Sequence, residues 1–196
     1  MSGISPAFAR AVRWVALLNL TYFAVEFWVA LSIGSVSLFA DSVDFLEDTS
    51  VNLLILLALA WSARARARRG LGLAALLLAP ALATLWMAWR KFSAPVPPAA
   101  LPLSLAGLGA LLVNLTCAVL LARFRRHGTS LARAAFLSAR NDALANIAIM
   151  AAALITALRP SGWWDLIVGI GIAALNADAA REVFTAARAE HAEAQP

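Results

Sequence analysis

Two histidines and one cysteine in 196 residues leave this chain almost without soft metal ligands or thiol chemistry. The lone Cys117 can form no intramolecular disulfide, and its apolar surroundings in sequence mark it as a small packing residue. His127 and His191 lie outside the apolar segments, so no Ser/His pair stands within one and an intramembrane hydrolase is disfavoured. Neither a Walker A pattern nor an aspartyl-phosphate site is present, which disfavours coupling to ATP. The first nine residues carry no basic n-region and no small-residue cleavage pattern follows the first apolar segment, so that segment is expected to be retained. Charge is scarce too, at 14% of residues.

What fills the chain is apolar surface: 62% of residues are hydrophobic and the mean hydropathy is +0.79, outside the range of a soluble domain. A membrane-spanning helix needs roughly 20 mostly apolar residues. Six segments meet that demand, near 10–33, 36–61, 70–89, 101–122, 132–157 and 163–186. The expected fold is an all-α membrane protein of six transmembrane helices forming one domain over residues 1–196.

A pI near 10.9 would suit a nucleic-acid partner, but the positions of the basic residues point elsewhere. Arg10, Arg13, Arg64, Arg66, Arg68, Arg69, Arg123, Arg125, Arg126, Arg133, Arg181 and Arg188 fall on one side of a six-helix topology, against Arg90, Lys91 and Arg159 on the other. The positive-inside rule then places both termini in the cytoplasm, in a cell (inner or plasma) membrane, with lipid and not nucleic acid as the surrounding partner. Trp14, Trp61, Trp86, Trp89, Trp163 and Trp164 fall near proposed helix ends, as interfacial anchors do. The connector "RKFSAPVPPAALP" holds prolines at 95, 97, 98 and 102 and cannot continue a helix.

Against this background the stretch "SLFADSVDFLEDTSVN" is anomalous, because it sets Asp41, Asp44, Glu47 and Asp48 into the second apolar segment. At about 100° per residue Asp41, Asp44 and Asp48 fall within about 60° of one another on one helix face, with Glu47 to the side. An ionised side chain at the bilayer centre costs roughly 2.5–3.5 kcal/mol on insertion scales, so a cation or proton is expected to visit these acids. Arg140 is the one basic residue deep in a proposed span, and pairing with Glu47 or Asp41 is expected of it. The fifth segment, "SARNDALANIAI", repeats the pattern with Ser138, Asp142 and Asn146 at i, i+4 and i+8, echoing Asp44, Asp48 and Asn52. Two facing helices that share a midplane cation site have this form. Asp165, after "SGWW", reads as a first-turn acid or cap of the sixth helix.

The residues resemble the cation diffusion facilitators, six-helix divalent metal/proton antiporters. "NLTYFAVE" is similar to that family's N-x6-E in helix one, "GSVSLFADSVDFLED" to its helix-two signature, "LLVNL" to a helix-four motif and Asp142 to the D-x-x-x-[NS] of helix five. The resemblance implies that Asp44, Asp48 and Asp142 are the metal ligands, with Asp41 an accessory acid. The family usually has His or Asp where this chain has Ser138, leaving water, Asn141, Glu47 or Ser138 itself for the fourth position. It also implies a cavity or proton path that includes Asn19, Glu26, Asn114, Asn146 and Arg140, although asparagines in spans equally serve helix-to-helix hydrogen bonds. The implied cargo is Zn²⁺ first, with Co²⁺, Cd²⁺, Mn²⁺ or Fe²⁺ as alternatives. No prosthetic group and no covalent chemistry are expected. The implied partners are the metal ion, protons and a second copy of the chain, joined through membrane helices, since the family's C-terminal metal-binding domain has no counterpart. A passive cation channel, or a non-transporting assembly or sensor protein, remains the alternative.

Overall fold

A computed structural model describes residues 6–58, 82–122, 124 and 130–175. They form six helical segments: α1 (Pro6–Ile33), α2 (Val36–Ala58), α3 (82–92), α4 (Ala100–Ala122), α5 (Ser130–Leu158) and α6 (Gly162–Leu175). Among the described residues there is no strand. The proposed ends at 59–61, the start of the third segment at 70–81 and residues 176–186 of the sixth lie outside the described residues, as do His127 and His191.

Local chemistry sets the ends. Pro6 opens α1 four residues before position 10, where its missing N–H costs no helix hydrogen bond. Gly34, at φ +64°, closes α1: Ser35 N–H donates to the Ala30 carbonyl at 3.0 Å, the six-to-one bond of a glycine-terminated helix. Ser35 then caps α2, its Oγ accepting from the Leu38 N–H at 3.1 Å. With only Gly34 and Ser35 between them, α1 and α2 pack as an antiparallel pair, and α4 and α5 form a second. α1 also packs on α4, and α2 on α5, making a four-helix core.

The bundle is apolar outside and partly polar within, the reverse of a soluble protein. Leu101, Leu105, Leu108, Leu112, Leu115 and Val119 form an exposed stripe along α4, while its buried face carries Ala106, Gly107, Ala110, Asn114 and Cys117. Small residues let helices approach where lipid removes any hydrophobic drive between them, and the leucine stripe meets acyl chains. α1, α4 and residues 138–158 of α5 are each long and apolar enough to span a bilayer; α2 spans no such window because of its acids.

Two apolar clusters sit at opposite ends of the core. One includes Ala30, Leu38, Phe39, Val43, Leu103, Ile149 and Ile172; the other Phe8, Val12, Val15, Ile55, Cys117, Leu121 and Ala139. Asn19 and Glu26 on α1, Asp44 and Asp48 on α2, Asn114 on α4, and Asp142 and Asn146 on α5 fall between these clusters along their own helices. The polar residues therefore form a layer midway through the bundle.

The end that holds the α1–α2 turn is closed by a cross-helix cap. Asp165 is fully buried, and its carboxylate accepts from Val36 N–H at 2.8 Å, Ser37 N–H at 3.1 Å and the hydroxyls of Ser35 and Ser37, each at 2.6 Å. Lys91 Nζ completes the cluster at 3.1 Å. Asp165 stands in the first turn of α6, as the sequence places it, but its oxygens serve the unpaired N–H groups and dipole of α2 and not those of its own helix. Close approach of α6 makes the contact possible: a Cβ on Gly169 would lie 2.8 Å from Val36 C and Ser37 N.

Candidate metal-transport site

A cavity of about 770 Å³ opens between α2, α5 and α6. Its polar wall is Asp44, Glu47 and Asp48 from α2 with Ser138, Asn141 and Asp142 from α5; Val168, Gly171, Ile172 and Leu175 of α6 form much of the apolar wall. Among the described residues no Lys, Arg or His lines it. Six residues singled out in the sequence thus meet around one space. They do so because α2 and α5 run antiparallel and each repeats its polar residues one turn apart, so the two acidic faces meet over matched turns.

Asp48 is the most fixed of the carboxylates. Its Oδ1 accepts from Ser138 Oγ at 2.9 Å and its Oδ2 from Asn19 Nδ2 at 3.2 Å, so α1 and α5 both aim it. Asn19 Oδ1 is in turn met by the Cys117 thiol at 3.5 Å, which gives the lone cysteine a polar contact that its apolar context did not suggest. Ser138 acts here as a hydrogen-bond donor to Asp48. Among the described residues no three of His, Cys, Asp and Glu are drawn into a closed metal-holding cluster. The arrangement is an open cavity into which acids project, suited to a cation that enters and leaves.

The remaining candidates lie elsewhere. Asn146 donates to Asp41 and accepts from Asn114 Nδ2 at 3.0 Å, a buried chain across α4, α5 and α2 that does not line the cavity. Asn52 turns back to the Asp48 carbonyl at 2.7 Å, so the third member of each D-x-x-x-N echo stands apart from the cavity wall. Glu26 is fully buried against Asp41. Arg140 is exposed and donates to Asn141 Oδ1 at 3.1 Å, and the expected pairing with Glu47 or Asp41 is not made. Two residues from both Ser138 and Asp142, at about 100° per residue, it must face away from them. The signal missed in the sequence was Lys91, Ser35 and Ser37 as partners of Asp165, since nothing local marks partners 74 to 130 residues apart.

These features define an all-α membrane protein with an acid-lined cavity at mid-bundle. The model of the cation efflux transmembrane domain matches residues 12–190, and the chain belongs to that family of membrane transporters for divalent cations. A comparison with curated protein sequences finds no match.

Ser138 offers a direct probe of the site. Ser138→His places an imidazole where only a hydroxyl stands, and Zn²⁺ binding measured by calorimetry is expected to tighten on the order of tenfold. Ser138→Ala removes one hydrogen bond to Asp48 and is expected to weaken binding by only about 1 kcal/mol. Equal affinities in all three proteins would place the cation away from position 138.

Proposed function

We propose that this chain exports a divalent transition-metal cation, Zn²⁺ first and Co²⁺, Cd²⁺, Mn²⁺ or Fe²⁺ next, from the cytoplasm across the cell membrane in exchange for protons. One observation carries the reading: three carboxylates from two facing helices, Asp44, Asp48 and Asp142, project into one cavity whose wall, among the described residues, supplies no cation of its own. Like charges so placed are tolerable in a membrane only when a metal or protons neutralise them, and the two are therefore alternatives for the same carboxylates.

Alternating access fits a bundle that is closed at one end by the Asp165 cap. The cavity reaches from mid-bundle toward Leu175, away from the end where Asp165 joins α6 to the start of α2. With cytoplasmic termini, the described part of the cavity lies on the inward side of that closed end. Cytoplasmic metal displaces protons from the acids, the bundle rearranges, and outward exposure returns protons to the carboxylates as metal leaves. The metal is cargo, and only hydrogen-bond and ionic contacts change. A homodimer would be joined through lipid-facing helices.

The test is uptake of Zn²⁺, Co²⁺, Cd²⁺, Mn²⁺ and Fe²⁺ into proteoliposomes under an imposed pH gradient. Saturable uptake of at least one metal is expected, lost in Asp142→Ala. Uptake that survives this substitution unchanged would remove Asp142 from the path and with it the proposed site.

A further inference from the structure

The buried polar residues that the cavity does not use include a pair of carboxyl groups. Glu26 on α1 and Asp41 on α2 are each 0% exposed and neither lines the cavity. Their carboxyl groups face each other within hydrogen-bonding reach. Both Glu26 oxygens and Asp41 Oδ1 nevertheless find no donor; only Asp41 Oδ2 receives one, from Asn146. Three carboxylate oxygens are thus enclosed in a membrane bundle without a donor among the described residues.

Among the described residues the surroundings supply no compensating charge. On α1 the nearest ionisable group is Tyr22, whose hydroxyl is committed to the Ala106 carbonyl at 2.6 Å. α2 contributes Asp44 and α5 contributes Asp142, both acids, while α4 has no charged residue. Lys91 of α3 and Asp165 of α6 are paired with each other at the closed end. Two ionised carboxylates here would be costly in a low dielectric. One proton removes one charge and turns that carboxyl into a donor for the other, which satisfies an oxygen on each side. A divalent metal would want about four donors, more than this pair offers.

We propose that Glu26 and Asp41 form a second cation-binding site, held by a single proton that bridges them, separate from the metal cavity. Asp41 lies one turn from Asp44, and Asn146 one turn from Asp142, so the Asn146–Asp41 hydrogen bond links this site to both acidic faces of the cavity. A shift of α2 against α5 during the cycle breaks that bond and alters the hold on the proton. That coupling role rests on the metal/proton exchange proposed above; the presence of the proton does not.

Infrared spectroscopy of the full-length protein in lipid tests it through the C=O band of protonated carboxyl groups. At neutral pH the wild type is expected to show such a band, and both Glu26→Gln and Asp41→Asn to lose one protonated carboxyl's intensity. In each variant the new amide donates the bond that the proton made, so the fold is preserved, and either variant alone decides the matter. Asp48→Asn is expected to retain the band assigned to the pair. No protonated-carboxyl band in the wild type, or a band unchanged by either substitution, would overturn the inference. The readout needs no transported metal, so a protein that carries none can still show the proton, and failure of the transport reading is distinguishable from failure of this one.

Discussion

Asp48→Ala is expected to lower divalent-cation affinity by more than about 100-fold, since even partners behind a ligand are typically worth roughly 10–100-fold. The expectation follows from position: Asp48 lines the cavity and is held by Ser138 at 2.9 Å and Asn19 at 3.2 Å, so no other carboxylate takes its place without repacking. Folding should be little affected, because the substitution removes one of several neighbouring negative charges. Calorimetric titration with Zn²⁺ beside a thermal unfolding curve separates the two quantities. Retained affinity would show that Asp44 and Asp142 suffice, and lost folding would show that Asp48 is structural.

Asp165→Ala is expected to cause the largest loss of stability, about 3–5 kcal/mol, the range for breaking a buried pair by removing one partner. Its carboxylate is the common acceptor for two α2 N–H groups, two serine hydroxyls and Lys91. Deleting it leaves Lys91, only 15% exposed, without its counter-ion and opens the N-terminus of the helix that carries Asp44 and Asp48. Asp165→Asn keeps an acceptor but loses the ion pair and should fall between. Thermal unfolding in detergent ranks the three proteins; an unchanged midpoint in Asp165→Ala would mean that the cap contributes nothing to closure. Should transport fall while stability holds, the cap acts in the cycle and not in folding.

The cavity was legible in the sequence for a simple reason. Helical periodicity fixes which residues of one helix share a face, so Asp44 with Asp48, and Ser138 with Asp142, could be grouped before any fold was known. That the two groups meet required only that α2 and α5 be neighbours, which the repeated spacing suggested. What periodicity cannot supply is the partner across a long loop. Asp165 looked like a cap for α6 because the nearest unpaired N–H groups in sequence are its own helix's, while those it serves are 128 and 129 residues away. Glu26 and Asp41 were each visible as acids in apolar segments, but their mutual approach depends on the two-residue turn at Gly34 and the rotation of α1 against α2. Only the cost of an unpaired charge suggests a carboxylate partner for Arg140, and its angular offset from Asp142 argues against one.

The most direct measurement records metal entry and internal pH together in proteoliposomes driven by an inward Zn²⁺ gradient, for wild type and Asp142→Ala. Exchange through the acid-lined cavity predicts saturable Zn²⁺ entry with alkalinisation of the lumen in the wild type, and neither signal in the variant. Zn²⁺ entry that does not saturate and leaves the internal pH unchanged would contradict the account and describe a passive channel. Neither entry nor binding of any divalent cation would contradict it as well, leaving the acids as internal hydrogen-bond partners of a protein that assembles or senses.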